Sequence, residues 1–387
     1  MLNGLAALED IDWKRLHHAY GRATDTPDHL RALLGEDSEA RKEALDHLWS
    51  AIIHQGTLYP ATGPVARVIA GLLTDARIDR GKSIRPDLLA FLAAVPESLE
   101  MTETDIETLE RMAAFDIEPF LDAEDIYEEI FENEDAVNSF QARGVLACIS
   151  AAPVLMDAML QAASDGDASC RMHALMGAVR FAKIQSLRHH AAQLEMRLLS
   201  LVREATSSDE RSTYVLALGE LGFAPTAFLS DASPAVRTCA ALAPSLSTDE
   251  RAIKELLTVL EVHAGDIDGW FVERPPQFSM RPRFSVVQRL VQQVKDFDRL
   301  VNAAIAVARA TNKFAVDYEW GPLLSAAFPK QNGVIETEAQ RRYLRALVEN
   351  AELWDPKFGN ASAYFKGLKL PYDRDACARL VQEARVE

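Results

Sequence analysis

Basic side chains are missing where the chain is most heavily charged. Residues 97–135 hold sixteen Asp or Glu residues and one basic residue, Arg111, a net charge of −15 against −17 for the whole chain. Cysteine is scarce as well: Cys148, Cys170, Cys239 and Cys377 are scattered and form no C-x-x-C pair. That excludes a disulfide framework and fits free thiols buried in a reducing compartment. Aromatic residues make up only 7% of the chain and alternating β-branched runs are nearly absent, which argues against a sandwich or barrel and predicts helices throughout. Met1-Leu2-Asn3-Gly4 lacks the basic and apolar regions of a secretory leader. The longest wholly apolar run, residues 88–95, is closed by Pro96 and is too short to span a bilayer. The expected location is cytoplasmic, with no membrane partner.

Catalytic signatures are missing too. There is no G-x-S-x-G elbow, no H-E-x-x-H helix and no EF-hand spacing. Gly81-Lys82-Ser83 looks like the tail of a phosphate loop, but Ala76 stands where the first glycine belongs and no strand precedes it. His17-His18 and His189-His190 are adjacent pairs whose members point to different faces. His47 and His54 share a face, with no acid or thiol placed beside them. No catalytic residue, cofactor or metal site is expected, and the chain reads as a binding protein rather than an enzyme.

What is present is enough apolar material, 48% of 387 residues, to bury a core as one extended array or as two compact domains. An internal period supports the array. Ser208-Asp209-Glu210-Arg211 recurs as Thr248-Asp249-Glu250-Arg251, each tetrad opening on a capping residue and followed by apolar residues at helical spacing. Between them, Ser233 and Pro234 start another helix. Further helices are predicted over 37–55, with Trp49 continuing the core stripe, and over 64–73, 169–183, 297–310 and 336–350.

Asp231-Ala232-Ser233-Pro234-Ala235-Val236-Arg237, followed by Cys239-Ala240-Ala241-Leu242, resembles the HEAT repeat signature. The resemblance implies an all-α, HEAT-like α-solenoid of stacked antiparallel helix pairs running through residues 1–387, with the turn aspartate and the helix arginine joined in a ladder. Leu353-Trp354-Asp355, Gly367-Leu368-Lys369-Leu370-Pro371-Tyr372-Asp373-Arg374 and the early run from Leu48 through Tyr59 to Thr62 are similar to segments of bacterial HEAT-repeat proteins, some of which look like immunity proteins paired with toxins.

Two segments stand out from the array. Residues 263–284 carry Pro275, Pro276 and Pro282 with little helical period, and leave Trp270, Phe271 and Phe278 exposed in the expected picture. In the acidic segment 97–135, Ile126, Tyr127, Ile130 and Phe131 recur at helical spacing and continue to Val137 and Phe140, a stripe for core packing on a helix started by Pro119. Carboxylates then project from its other side as a fixed negative surface suited to a basic partner. The expected binding residues are Glu118, Asp122, Glu124, Asp125, Glu128, Glu129 and Glu132, with Trp270 and Phe271 from the loop. The expected function is that of an immunity protein covering the basic surface of a toxin. The alternatives are a general assembly scaffold and a HEAT-like DNA enzyme of the glycosylase type. The DNA enzyme needs a basic groove, which a sequence pI near 5.0 opposes and which Arg274, Arg281, Arg283 and Arg289 would have to supply.

Overall fold

The computed structural model describes residues 4–100, 105–121 and 126–384. Helices hold 70% of the chain and strands 2%, which fixes the class as all-α. Among the described residues, helices that follow one another in sequence also pack together. The strands form two short hairpins, His17–His18 with Gly21–Arg22 and Ile53–His54 with Thr57–Leu58. Contacts divide the chain into two compact units, Met1–Arg197 and Leu198–Glu387.

In the first unit the central element is the helix Glu134–Ala162, packed by Thr62–Leu72, Arg85–Glu100, Ile106–Ala113 and Ala168–Phe181. With 29 residues and a mean hydropathy of 1.7 over its most apolar window, it is long and apolar enough by composition to cross a membrane. Polar residues such as Ser150 and Asp157 interrupt it, so it holds no long wholly apolar run. Cys148, Ala151, Ala152, Leu155 and Met156 on this helix are fully buried, so its apolar face serves the core.

Two glycines set how closely that helix is approached. A Cβ at Gly63 would lie 2.5 Å from the backbone of Ala147, and one at Gly144 would lie 2.6 Å from the Leu58 carbonyl oxygen. Neither neighbour is a flexible side-chain end, so the backbones must separate to admit a methyl group. Gly63→Ala is therefore expected to lower stability by about 1–3 kcal/mol. Gly166→Ala, where nothing lies within 4 Å of the added carbon, should leave the urea midpoint nearly unchanged.

The expected helix over 37–55 is broken. Asp37 caps Ser38–His47 by accepting from the Glu39 and Ala40 amides, and a π-turn, Leu48–Ile52, then delivers the chain into the second hairpin. Gln55 and Gly56 both take positive φ, 50° and 79°, as a tight two-residue hairpin turn requires. The wider π-turn rotates Trp49 off the buried stripe of Leu48, Ala51 and Ile52. Trp49 is 44% exposed, contrary to its expected place in the core, with its ring edge-on to Phe91.

In the second unit both tetrads begin helices, Ser208–Glu220 and Glu250–His263, but the caps fall elsewhere than expected. Ser207 caps the first and Asp249 the second. The two tetrads also differ in burial. Asp209 and Glu210 are buried in the first tetrad, where Asp209 accepts the Glu273 amide at 2.8 Å and Glu210 accepts the Tyr214 hydroxyl at 2.7 Å. The exposed Arg251 of the second tetrad pairs with Asp249 at 2.7 Å. The helix at 297–310 is found as Phe297–Ala310, and that at 336–350 as Glu338–Glu349, opened by a capping box between Thr337 and Gln340.

The segment resembling HEAT has a local geometry that recurs. Arg237 donates to the carbonyls of Asp231 and Ala232 at 2.9 and 3.3 Å, while Asp231 accepts the Ser233 amide at 2.8 Å. In the first unit Arg171 donates to the carbonyls of Asp165 and Gly166 at 2.8 and 2.9 Å, and Asp165 accepts the Asp167 amide at 2.9 Å. Both follow an Asp-x-(Ser/Asp)-x-x-x-Arg spacing that fastens a turn to the first turn of the next helix. Arg237 also reaches Glu255 at 2.8 Å, and Arg211 pairs with Asp231.

Candidate functional site

The acidic segment is not one helix. Asp105 caps Ile106–Ala113 by accepting the Thr108 amide, Glu118–Leu121 forms a single turn, Ile126–Phe131 follows, and Asn133 caps Glu134–Ala162. Pro119 lies in the first turn of Glu118–Leu121, and the break at Asn133 keeps the expected helix from running on to Val137 and Phe140. Beneath these pieces lies an apolar cluster of Ile117, Leu121, Ile130, Ala136 and Phe140, with Tyr127 and Val137 packed against it. The expected stripe is real at Tyr127, Ile130, Val137 and Phe140 and fails at Phe131. Phe131 is 67% exposed, because the helix ends there and Ile130 takes the inward position.

Basic residues distant in sequence meet part of the acidic window. Arg15 pairs with Glu118 at 2.6 Å, Arg180 with Glu97 at 2.5 Å and Lys183 with Glu100 at 3.0 Å. The N-terminal hairpin is fastened to the segment as well: Arg22 donates to the Leu121 carbonyl and the Tyr127 hydroxyl to that of His18. Arg143 holds the carbonyls of Ala113 and Phe115 from the central helix, at 3.3 and 3.1 Å. Burial raises the Tyr127 hydroxyl pKa, keeping it a neutral donor.

What remains outward is compact. Glu128, Glu129, Glu132, Glu134 and Asp135 are exposed around Phe131, on a helix end and a capped helix start. Glu129, Glu132, Glu134 and Asp135 make no ion pair among the described residues. An exposed aromatic ring set among carboxylates and backed by a fixed apolar cluster has the makeup of an interface anchor. Of the expected binding residues, Glu118 is held by Arg15, Glu128, Glu129 and Glu132 are exposed, and Asp122, Glu124 and Asp125 lie outside the described residues. Sequence reading missed Phe131 as a surface residue, since helical spacing alone puts it on the buried stripe.

Trp270 and Phe271 belong to the second unit, on a loop that covers rather than projects. Glu273 and Gln277 of that loop reach Asp209 and the Thr213 carbonyl at 2.8 and 3.0 Å. Phe278 is buried, contrary to expectation, with Phe271 packed 5.9 Å from it. Trp270 is half-buried, edge-on to His263 at 5.1 Å. Of the four arginines that a basic groove would draw on, Arg283 is buried in an ion pair with Glu319 and Arg289 is half-exposed with its pKa lowered by burial, while Arg274 and Arg281 are exposed.

The histidines are arranged in a way the sequence does not show. The first hairpin brings His18 and Asp25 beside His47, with donor atoms all within 4.8 Å, the group among the described residues with metal-ligand spacing. Their hydrogen bonds favour another reading. The Tyr20 amide donates to His18 Nδ1 at 3.1 Å, which leaves the imidazole proton on Nε2, facing Asp25 Oδ1 at 3.0 Å. A metal on Nε2 would move that proton to Nδ1 and set it against the Tyr20 N–H. His47 Nε2 is engaged with the Thr26 hydroxyl at 3.0 Å, and its ring stacks on His29 at 4.2 Å. The group is a hydrogen-bonded relay that ties the hairpin to the helix Ser38–His47. All four cysteines are free and buried, and burial raises the thiols of Cys170, Cys239 and Cys377 to about 12, which disfavours the thiolate needed for nucleophilic chemistry.

Comparison of the chain with protein-family models, curated proteins and solved structures finds no match.

Proposed function

We propose that the protein is a non-enzymatic, HEAT-like helical repeat protein that binds a basic partner through the acidic surface around Phe131, and that it acts in the cytoplasm as an immunity protein covering the substrate-binding surface of a toxin. The observation that carries this reading is the exposed Phe131 ring among Glu128, Glu129, Glu132, Glu134 and Asp135, over a packed apolar base. Carboxylates held on a fixed scaffold raise the encounter rate with a basic protein and mimic the phosphate charge that nucleic-acid-directed toxins recognise. Sequential helix packing and the recurring Asp–Arg turn support the repeat character.

Affinity capture from the source bacterium tests it, with the native chain and a Glu128→Lys/Glu129→Lys/Glu132→Lys/Phe131→Ala variant side by side. A basic protein held by the native chain should bind the variant at least about tenfold more weakly and with less salt sensitivity, at unchanged helicity. Equal retention removes the acidic surface from the mechanism. A captured toxin supports immunity, whereas a multiprotein assembly supports the scaffold.

A nucleic-acid reading draws on a different feature, a groove of about 520 Å³ in the second unit lined by Arg309, Arg342 and Arg345. Glu261 and Glu349 line the same groove, and Glu349 pairs with Arg309 at 3.8 Å, which offsets much of its charge. Absence of duplex and single-strand DNA binding at low salt dismisses this alternative.

A further inference from the structure

A cavity of about 580 Å³ opens in the first unit, between the start of the helix Ser38–His47 and the loop preceding Arg85–Glu100. Its polar wall is predominantly basic, with Arg41, Lys42, Arg80 and Lys82 against Glu36 and Asp87, in a chain whose net charge is −17. Leu45 and Ile84 supply an apolar wall.

Arg41 is the residue that most needs explaining. It is 7% exposed, its two terminal nitrogens donate to the carbonyls of Arg80 and Ile78 at 2.5 and 2.6 Å, and its Nε has no partner. No carboxylate pairs with it among the described residues. Asp79, the acid that senses its charge, is taken by Arg85 and by the Ser83 hydroxyl at 2.7 Å. A buried guanidinium held by neutral carbonyls is costly unless a counter-charge comes near.

The opposite lip offers donors. Gly81 adopts a φ of +67°, and the amides of Gly81, Lys82 and Ser83 meet no acceptor among the described residues. The Lys82 ammonium forms no ion pair there, and Arg80 has only the exposed Glu36, at 3.4 Å. Successive backbone N–H groups beside the Lys82 ammonium and the exposed, loosely paired Arg80 guanidinium are the donor set that phosphate oxygens accept from.

We propose that this cavity binds a small phosphomonoester, its phosphate on Lys82, Arg80 and the 81–83 amides, its apolar portion against Leu45 and Ile84, and the buried Arg41 charge supporting the dianion. Gly81-Lys82-Ser83 thereby acts as an anion loop without the strand or first glycine of a nucleotide-binding loop. The site uses none of the residues of the acidic surface, so either reading can fail without the other.

Calorimetric titration of the full chain with phenyl phosphate, inorganic phosphate and sodium chloride at matched ionic strength tests this. Phenyl phosphate should bind saturably and more tightly than inorganic phosphate, and Lys82→Ala and Arg80→Ala, both at exposed positions, should each weaken it about tenfold with circular dichroism unchanged. Arg41→Met should weaken it too, but Arg41 also ties two carbonyls, so the exposed variants carry the test. No saturable binding, or affinity unchanged in the Lys82→Ala/Arg80→Ala double variant, overturns the site. Equal affinity for inorganic phosphate overturns the apolar subsite. Binding to vesicles containing phosphatidic acid while phenyl phosphate gives no heat overturns the soluble ligand in favour of a lipid headgroup.

Discussion

Replacing Glu319 by alanine is expected to cost about 3–5 kcal/mol of stability in the second unit. The Glu319 carboxylate is fully buried and takes two bonds from Arg283, whose side chain is 4% exposed, and one from the Thr311 hydroxyl. Arg283 also donates to the Ala264 carbonyl and, through its own amide, to Asp268 at 3.0 Å. Without Glu319 the guanidinium keeps only Asp268, at 3.7 Å and partly solvated, as a counter-charge. An uncompensated buried cation costs more than the pair itself contributes. Removing both charges, with Arg283→Met and Glu319→Leu, should therefore recover more than half of the loss. Urea unfolding followed by the fluorescence of buried Trp320 reads both effects. A single-variant loss below about 1 kcal/mol shows that water reaches the site, since a solvated pair is worth no more than that. A double variant as unstable as the single one assigns the stability to the carbonyl and hydroxyl contacts instead.

Acidification should weaken the first unit well before its carboxylates titrate. His17 and His47 are buried, and both have pKa values lowered from 6.5 to about 4. For His17 the largest cause is burial, followed by the charges of Arg22 and His18. For His47 it is burial, then the charge of His29, opposed by Asp25. A lowered histidine pKa means that the unfolded chain binds the proton first. Stability from the neutral rings is thus complete above about 6.5 and falls as pH drops towards about 4. The expected loss is about 2–3 kcal/mol per histidine across that window. Urea midpoints measured against pH report it, and His47→Gln, which keeps a partner for Thr26 but cannot titrate, should remove about half of the dependence and leave the His17 part. A flat native profile between those limits would show that the two rings are solvated.

Much of the helical framework is legible in the sequence, because helix starts are written locally. Pro234 at a first helical position, the acidic tetrads and the run at 297–310 each mark an element that the structure contains. Errors arise where local spacing meets a change in backbone geometry. The helical period carries Trp49 and Phe131 onto the core stripe, but a π-turn and a helix end move both outward. The capping residue shifts by one in each tetrad, back to Ser207 and forward to Asp249, and the burial of Asp209 depends on a loop far along the chain that local spacing does not show.

By itself the sequence determined the all-α class, the positions of many helix starts and the concentration of negative charge in residues 97–135. These follow from periodicity, capping and composition, which act between near neighbours or require no geometry. The tertiary structure alone decided which acids Arg15, Arg180 and Lys183 meet, that Phe131 stands among those left outward, that His18, Asp25 and His47 converge, and that Arg41 lies buried beside a basic cavity. Each depends on through-space distances between residues far apart in the chain, and charge pairing and desolvation are set by those distances rather than by sequence spacing.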